Sequence, residues 1–136
     1  MYAMSRNLTN PYADAYVQTS VQEASPHRLI HMLMEGFLGR VAAAKGAIER
    51  GDIALKGESI TKAIAIVGGL DDCLDMEKGG ELASNLRALY VYMGERLLDA
   101  NIKNDVAILD EVSRLMREIK SGWESIPEEF RNGVSA

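Results

Sequence analysis

The chain has 136 residues, a length that suits one domain. Apolar residues make up 47% and aromatics only 6%, so a core has to be built mostly from Leu, Ile, Val, Met and Ala, while a charged share of 26% argues against bulk disorder. Fifteen basic against 20 acidic residues leave a net charge of −5, which argues against nucleic acid as the main partner. The single cysteine, Cys73, excludes an intrachain disulfide framework and suits the reducing cytosol. No apolar run approaches the ~20 residues of a membrane span, and the N-terminus lacks a signal-peptide core, so a cytoplasmic protein without membrane insertion is expected.

Residues 1–9 are polar and aperiodic and are expected to form a flexible N-terminus. Asn10-Pro11 reads as a helix cap followed by proline at the first helical position. The short helix after it places Tyr12 and Tyr16 one turn apart, with Val17 beside them. The polar residues 18–23 complete a cap segment and hinge over 10–24. Ser25-Pro26 repeats the cap signal and opens a first long helix, with a stripe of Ile30, Leu33, Phe37, Val41, Ala44 and Ile48. Gly51-Asp52 ends it. A second helix is expected over about 52–76 with Ile60, Ile64, Val67, Leu70 and Leu74 inward, and Gly68-Gly69 marks a kink or a close helix contact.

Lys78-Gly79-Gly80 punctuates the chain before a third helix whose inner face carries Leu82, Leu86, Leu89, Tyr90, Met93, Leu97 and Ala100. Residues 101–104 read as a short connection, so the third and fourth helices are expected to be antiparallel neighbours. Asn104 is expected to cap the fourth helix, whose stripe is Leu109, Val112, Met116, Ile119 and Trp123. The pattern fades after Ser125, and 127–136 is expected to be a flexible tail. Four stripes of about 20–25 residues, each roughly 30–38 Å long, have to bury against one another. The expected fold is therefore all-α, an antiparallel four-helix bundle over 25–126 with a short N-terminal cap segment.

Chemical signatures are missing. There is no P-loop, no GxSxG, no CxxC and no HExxH, and neither histidine follows a glutamate at the spacing of carboxylate-bridged metal bundles. His27, His31 and Glu35 share one face at four-residue steps, but no second helix offers an obvious fourth ligand, so a solvated polar edge is expected rather than a metal site. Asp71, Asp72 and Asp75 surround Cys73 and disfavour a thiolate, and adjacent aspartates on a helix face different directions and form no catalytic dyad. Neither an enzyme nor a cofactor is expected.

The informative surplus is apolar. On the third helix Val91 and Leu98 lie about 140–160° from the core stripe, one heptad apart on a single line, with Tyr92 on a flank. On the second helix Ile66 and Cys73 lie about 80–100° off the stripe, and on the first Met32 and Leu38 fall outside it. A helix that is apolar on two faces wants two neighbours. The second neighbour is a partner's helix, the chain's own N-terminal segment or, in a homodimer, a second copy. Seven methionines add adaptable side chains to such a surface.

Many small pieces in order carry a resemblance. They are Asn10-Pro11-Tyr12, Ala15-Tyr16, Ala24-Ser25-Pro26, Leu29-Ile30, Met32-Leu33-Met34-Glu35-Gly36, Lys62-Ala63-Ile64, Leu70 and Leu74-Asp75. They continue with Gly79-Gly80-Glu81-Leu82-Ala83, Asn85-Leu86, Leu89-Tyr90, Tyr92-Met93, Leu97, Ala100-Asn101, Asn104-Asp105, Glu111-Val112 and Trp123. In this order and spacing the chain resembles the FliS family of flagellar secretion chaperones over about residues 10–126. Met34 departs from it, standing where members usually carry an aromatic residue, a change expected to touch groove shape. The resemblance implies a helical bundle that binds the disordered C-terminal segment of flagellin in the cytoplasm, prevents early polymerisation and delivers it to a component of the flagellar export gate. It also implies that the N-terminal segment shifts to admit flagellin. The residues expected to bind flagellin are Tyr12, Tyr16 and Val17 in the cap, and Ile66, Val91 and Leu98 in the groove walls.

Overall fold

The computed structural model describes residues 25–126, which form four helices: α1 (Pro26–Arg50), α2 (Ile53–Asp72), α3 (Met76–Lys103) and α4 (Val106–Ser125). No strand occurs among the described residues. The cap segment over 10–24, with Tyr12, Tyr16 and Val17, and the tail over 127–136 lie outside them.

Each helix starts where a short polar side chain accepts from the first-turn amides. Ser25 Oγ accepts from Arg28 N at 3.2 Å, with Pro26 at the first helical position. Asp52, Asp75 and Asp105 cap α2, α3 and α4 in the same way. Two turns then repeat one device. Gly51 takes a left-handed backbone at φ 75°, its N–H donates to Ile48 O, and Asp52 N donates back to Ala47 O at 2.8 Å. Asn104 takes φ 53°, and Asp105 N donates back to Ala100 O at 3.3 Å. In both turns one residue ends a helix and the next begins another.

That pattern corrects one expectation: Asn104 ends α3, and Asp105 is the residue that caps α4. Both Asn and Asp cap well, but asparagine tolerates left-handed backbone better than most side chains, so the pair sorts itself in this order. The second helix also stops earlier than expected, at Asp72, because Asp75 captures the amides of Glu77 and Lys78 for α3. Gly80, with φ 53° and ψ −128°, then interrupts α3 after its first turn. Gly68 and Gly69 produce neither a kink nor a close contact: α2 runs through them, and a Cβ at either would meet nothing within 4 Å.

Going round the bundle, α1 contacts α2, α2 contacts α3, α3 contacts α4 and α4 contacts α1. Side-chain bonds show the antiparallel order. Lys45, late in α1, meets Asp110, early in α4, at 3.0 Å. His27, at the start of α1, meets Trp123 at the end of α4. Arg87 of α3 reaches back to Asp71 of α2 at 3.0 Å.

The core fills the space between the four stripes with Met34, Phe37, Ile60, Leu70, Met93, Leu97, Leu109 and Met116 fully buried. Ala44, Ala47, Ala63, Ala83 and Ala100 are buried where helices approach. Met34, expected to touch groove shape, is thus a core residue whose side chain acts on packing. Leu38, Ile66 and Cys73 pack against the core from its flanks, so their wheel positions mark the edge of the core stripe. Leu82 reverses the other way: expected inward, it is 49% exposed, in the turn that follows the backbone break at Gly80.

Two polar groups are buried within this shell. Lys56 is only 9% exposed, and its ammonium donates to Asn101 O at 3.0 Å and to Asn104 Oδ1. It thereby serves the open carbonyl end of α3 from the first turn of α2. Ser59 Oγ is buried without a hydrogen-bond partner. An unmatched hydroxyl costs about 1–3 kcal/mol, and alanine is the better helix former. Ser59→Ala is therefore expected to raise stability by about 1 kcal/mol or more, seen as a higher urea midpoint at unchanged slope.

Candidate functional site

An open apolar groove of about 270 Å³ runs between α2 and α3. The α2 side presents Ile64, Val67, Gly68 and Asp71 at three- and four-residue steps, and the α3 side presents Tyr90, Val91, Gly94, Glu95 and Leu98. Val91 is 51% exposed and Leu98 54%, so both carry large apolar side chains that the bundle does not use. They stand about 10 Å apart along α3, two helical turns.

Each wall of the groove carries a glycine, Gly68 on α2 and Gly94 on α3. A Cβ at Gly68 or Gly94 would meet nothing within 4 Å, so both positions are open on the groove side. Acids sit at the edges. Asp71 is held by Arg87, and Tyr90 lies beneath with its hydroxyl pushed up to about 12, first by burial and then by the charge of Asp71. Tyr90 therefore stays neutral, an apolar wall with a polar tip.

Of the residues expected to line a groove, the structure brings Val91 and Leu98 together in this one. Ile66 is elsewhere: it is half-buried on the side facing α1, and its Cδ1 lies 3.7 Å from the position a Cβ would take at Gly36. Ile64, read as core, lines the groove in its place. Sequence reasoning also missed Ile102, 79% exposed. It lies one turn beyond Leu98 on the line of Val91, and it escaped notice because 101–104 read as a loop rather than as the last turn of α3.

The α3–α4 edge beside the groove is held by a charged cluster. Arg96 Nε donates to Glu111 at 2.9 Å, and the Tyr92 hydroxyl donates to the same carboxylate. The hydrogen bond from Tyr92, then that from Arg96, holds the Glu111 carboxyl below the usual carboxylate range, and Glu111 in turn raises the Tyr92 hydroxyl. A second apolar groove of about 240 Å³ lies farther along the same edge, lined by Leu82, Leu86, Glu118, Ile119, Gly122, Trp123 and Ile126.

The histidines are engaged with α4. The His27 ring stacks on Trp123 at 4.6 Å and meets its carbonyl at 2.8 Å, while Trp123 Nε1 donates to the His27 carbonyl at 2.9 Å. His31 Nε2 meets Glu124 at 2.6 Å, and Glu35 lies 3.7 Å from its other nitrogen. Among the described residues no group of three or more His, Cys, Asp or Glu is placed to hold a metal ion. No described helix is long and apolar enough to cross a membrane. Cys73 is half-buried, its thiol pushed up first by burial and then by Asp72.

Residues 8–129 match a protein family described as flagellar protein FliS. The chain is 52% identical over 126 residues to the flagellar secretion chaperone FliSB of Pseudomonas aeruginosa, an alignment that covers 93% of this chain and 98% of that one. It is 41% identical to the flagellar secretion chaperone FliS of Vibrio cholerae, over 96% of both chains. It is 46% identical to that of Salmonella typhimurium, over 85% of this chain and 86% of the other.

Two outcomes test the site's physics. Gly68→Ala and Gly94→Ala are each expected to raise stability by up to about 1 kcal/mol, since the new methyl relieves glycine's helix penalty without a clash, as read from thermal melts. The Glu111 cluster has a pH signature. Its lowered carboxyl contributes stability that is complete above the ordinary carboxylate pKa of about 4.3 and is lost as pH falls through the lowered folded value. The raised Tyr92 hydroxyl contributes below about pH 10 and loses that as pH rises through its folded value. The stability difference between the parent and Glu111→Gln, followed across pH, should be flat between these limits and shrink at both ends.

Proposed function

The chain belongs to the FliS family of flagellar proteins, and from that premise we propose that it is a non-enzymatic export chaperone whose client is the C-terminal segment of flagellin. It binds this segment in the cytoplasm, holds it back from polymerising and hands it to a component of the export gate. One observation supports this reading above the others: the α2–α3 groove, where Val91 and Leu98 stand exposed one heptad apart with Ile102 continuing the line. That spacing suits an amphipathic helix laid along the groove with anchors at three-, four- and seven-residue steps.

The physics of such binding is plain. A disordered segment that orders on docking gives up conformational entropy, and buried apolar area has to offset it. The groove offers that area with few polar groups to desolvate, and its acidic edges, Asp71 and Glu95, act on selectivity more than on affinity. The sequence carries no nucleotide-binding loop, so release by competition for the client is the consistent route. In this reading Tyr12, Tyr16 and Val17 form a cap that shields apolar surface until the client arrives.

Calorimetric titration with a peptide of roughly the last 50 residues of flagellin tests the proposal. Saturable binding with a negative heat-capacity change is expected. Val91→Glu combined with Leu98→Glu should abolish it with helical content and melting nearly unchanged, because neither side chain contributes to the core. Deletion of residues 1–24 should tighten binding if that segment is the cap. Absence of binding by the folded chain, with and without residues 1–24, would overturn the flagellin reading, and sedimentation would then ask whether a second copy takes the groove.

A further inference from the structure

The outer face of α3 carries a second regular pattern beside its core stripe. Ser84, Ala88, Val91, Glu95, Leu98 and Ile102 alternate steps of four and three residues, and all six are exposed. That is a heptad seam, about 27 Å long, of the kind that takes another helix. Five of its members are small or apolar. Glu95 alone is charged, one turn from Val91 on one side and from Leu98 on the other.

The other acids near it are matched. Asp71, on the far wall of the groove, pairs with Arg87 at 3.0 Å. Arg96 holds both Asp99 at 3.3 Å and Glu111 at 2.9 Å. Glu95 lines the same groove, yet among the described residues it makes no ion pair and no side-chain hydrogen bond. Open to water, such a carboxylate is well solvated. Once a helix covers the seam it loses part of that hydration, and a cation on the incoming helix is what restores the balance. A second copy of this chain would bring no such cation, because its own seam holds none. Paired in parallel, two Glu95 carboxylates would meet. Paired antiparallel, each would face a small or apolar position.

We propose that Glu95 determines specificity and register: it takes a lysine or arginine standing between the apolar anchors of an amphipathic client helix. The long stem of that side chain lies along Val91 and Leu98 while its charge meets the carboxylate. Asp71 is already neutralised by Arg87, so the choice falls to Glu95. A helix with an acid or an apolar residue at that register leaves Glu95 covered and unmatched, and is rejected on that account. This inference rests on the flagellin reading and adds the chemistry that the bound segment must carry.

The test titrates the full chain with the C-terminal flagellin peptide. Glu95→Gln keeps the shape of an exposed side chain, so the melting temperature should stay where it is. Binding should weaken about five- to tenfold at low salt, and the gap from the parent should narrow as salt rises. Replacing the peptide's lysines and arginines by glutamine, one at a time, should find one whose loss weakens the parent as much as Glu95→Gln does and leaves the Glu95→Gln chain unaffected. Saturable binding with equal affinity and equal salt dependence in parent and Glu95→Gln would overturn the inference and leave the flagellin reading standing. So would coupling spread evenly over all the peptide's cations, which is the mark of a diffuse field and not of a register. A folded parent that does not bind the peptide at all would overturn both.

Discussion

One ammonium joins the two tightest turns of this bundle. Lys56, in the first turn of α2, donates to the Asn101 carbonyl and to the Asn104 side chain that caps α3, so the Gly51-Asp52 and Asn104-Asp105 turns meet at the same end of the molecule. The bond does two things at once. It satisfies groups that a helix leaves open at its C-terminus, and it fixes how far α2 slides along α3. The groove between these helices depends on that register, because a slide of α2 along α3 would change which α2 residues stand opposite Val91, Gly94 and Leu98. Removing the ammonium would take this donor from the part-buried Asn101 carbonyl and from the Asn104 side chain, a larger penalty than the loss of a surface ion pair.

The opposite end is built differently. There α1 and α4 are joined by reciprocal bonds between His27 and Trp123 and by the stack of their rings, and α3 breaks at Gly80. Both undescribed segments attach at this end, beside Ser25 and Ile126. The molecule thus has one end closed by two-residue turns and one where side chains close the bundle and the remaining chain enters and leaves. Apolar surface left over by the core follows the same division. The α2–α3 groove runs toward the closed end as far as Leu98, with the exposed Ile102 beyond it, and the α3–α4 groove lies at the open one.

Much of this was legible in the residues. Four apolar stripes at helical spacing imply the bundle, and Val91 with Leu98 stand apart from their stripe on the helical wheel alone. What failed to read had a common physical cause. A helical wheel gives a side chain's angle to its own stripe but not the neighbour that lies on that side. Ile64 and Ile66 are two residues apart on α2, and only the packed bundle shows that the first faces α3 and the second α1. Leu82 and Ile102 were misread for a related reason. Each lies within a turn or two of a helix boundary, where a backbone break at Gly80 or a late stop at Asn104 changes what covers the side chain. The sequence could not separate the adjacent capping residues Asn104 and Asp105, because either suits a helix end and only backbone hand decides. The cap residues Tyr12, Tyr16 and Val17 lie outside the described structure, so their placement rests on sequence alone.

The paired glycines of the α2–α3 groove carry a consequence for how such a protein changes over time. Sterically, nothing opposes a side chain at either site, and local helix energetics favour one. A search guided by melting temperature would therefore fill Gly68 and Gly94 early and flatten the concavity between the helices. Selection for robustness and selection for a client surface pull in opposite directions at these two positions, so rigidity gained there would come at the expense of shape.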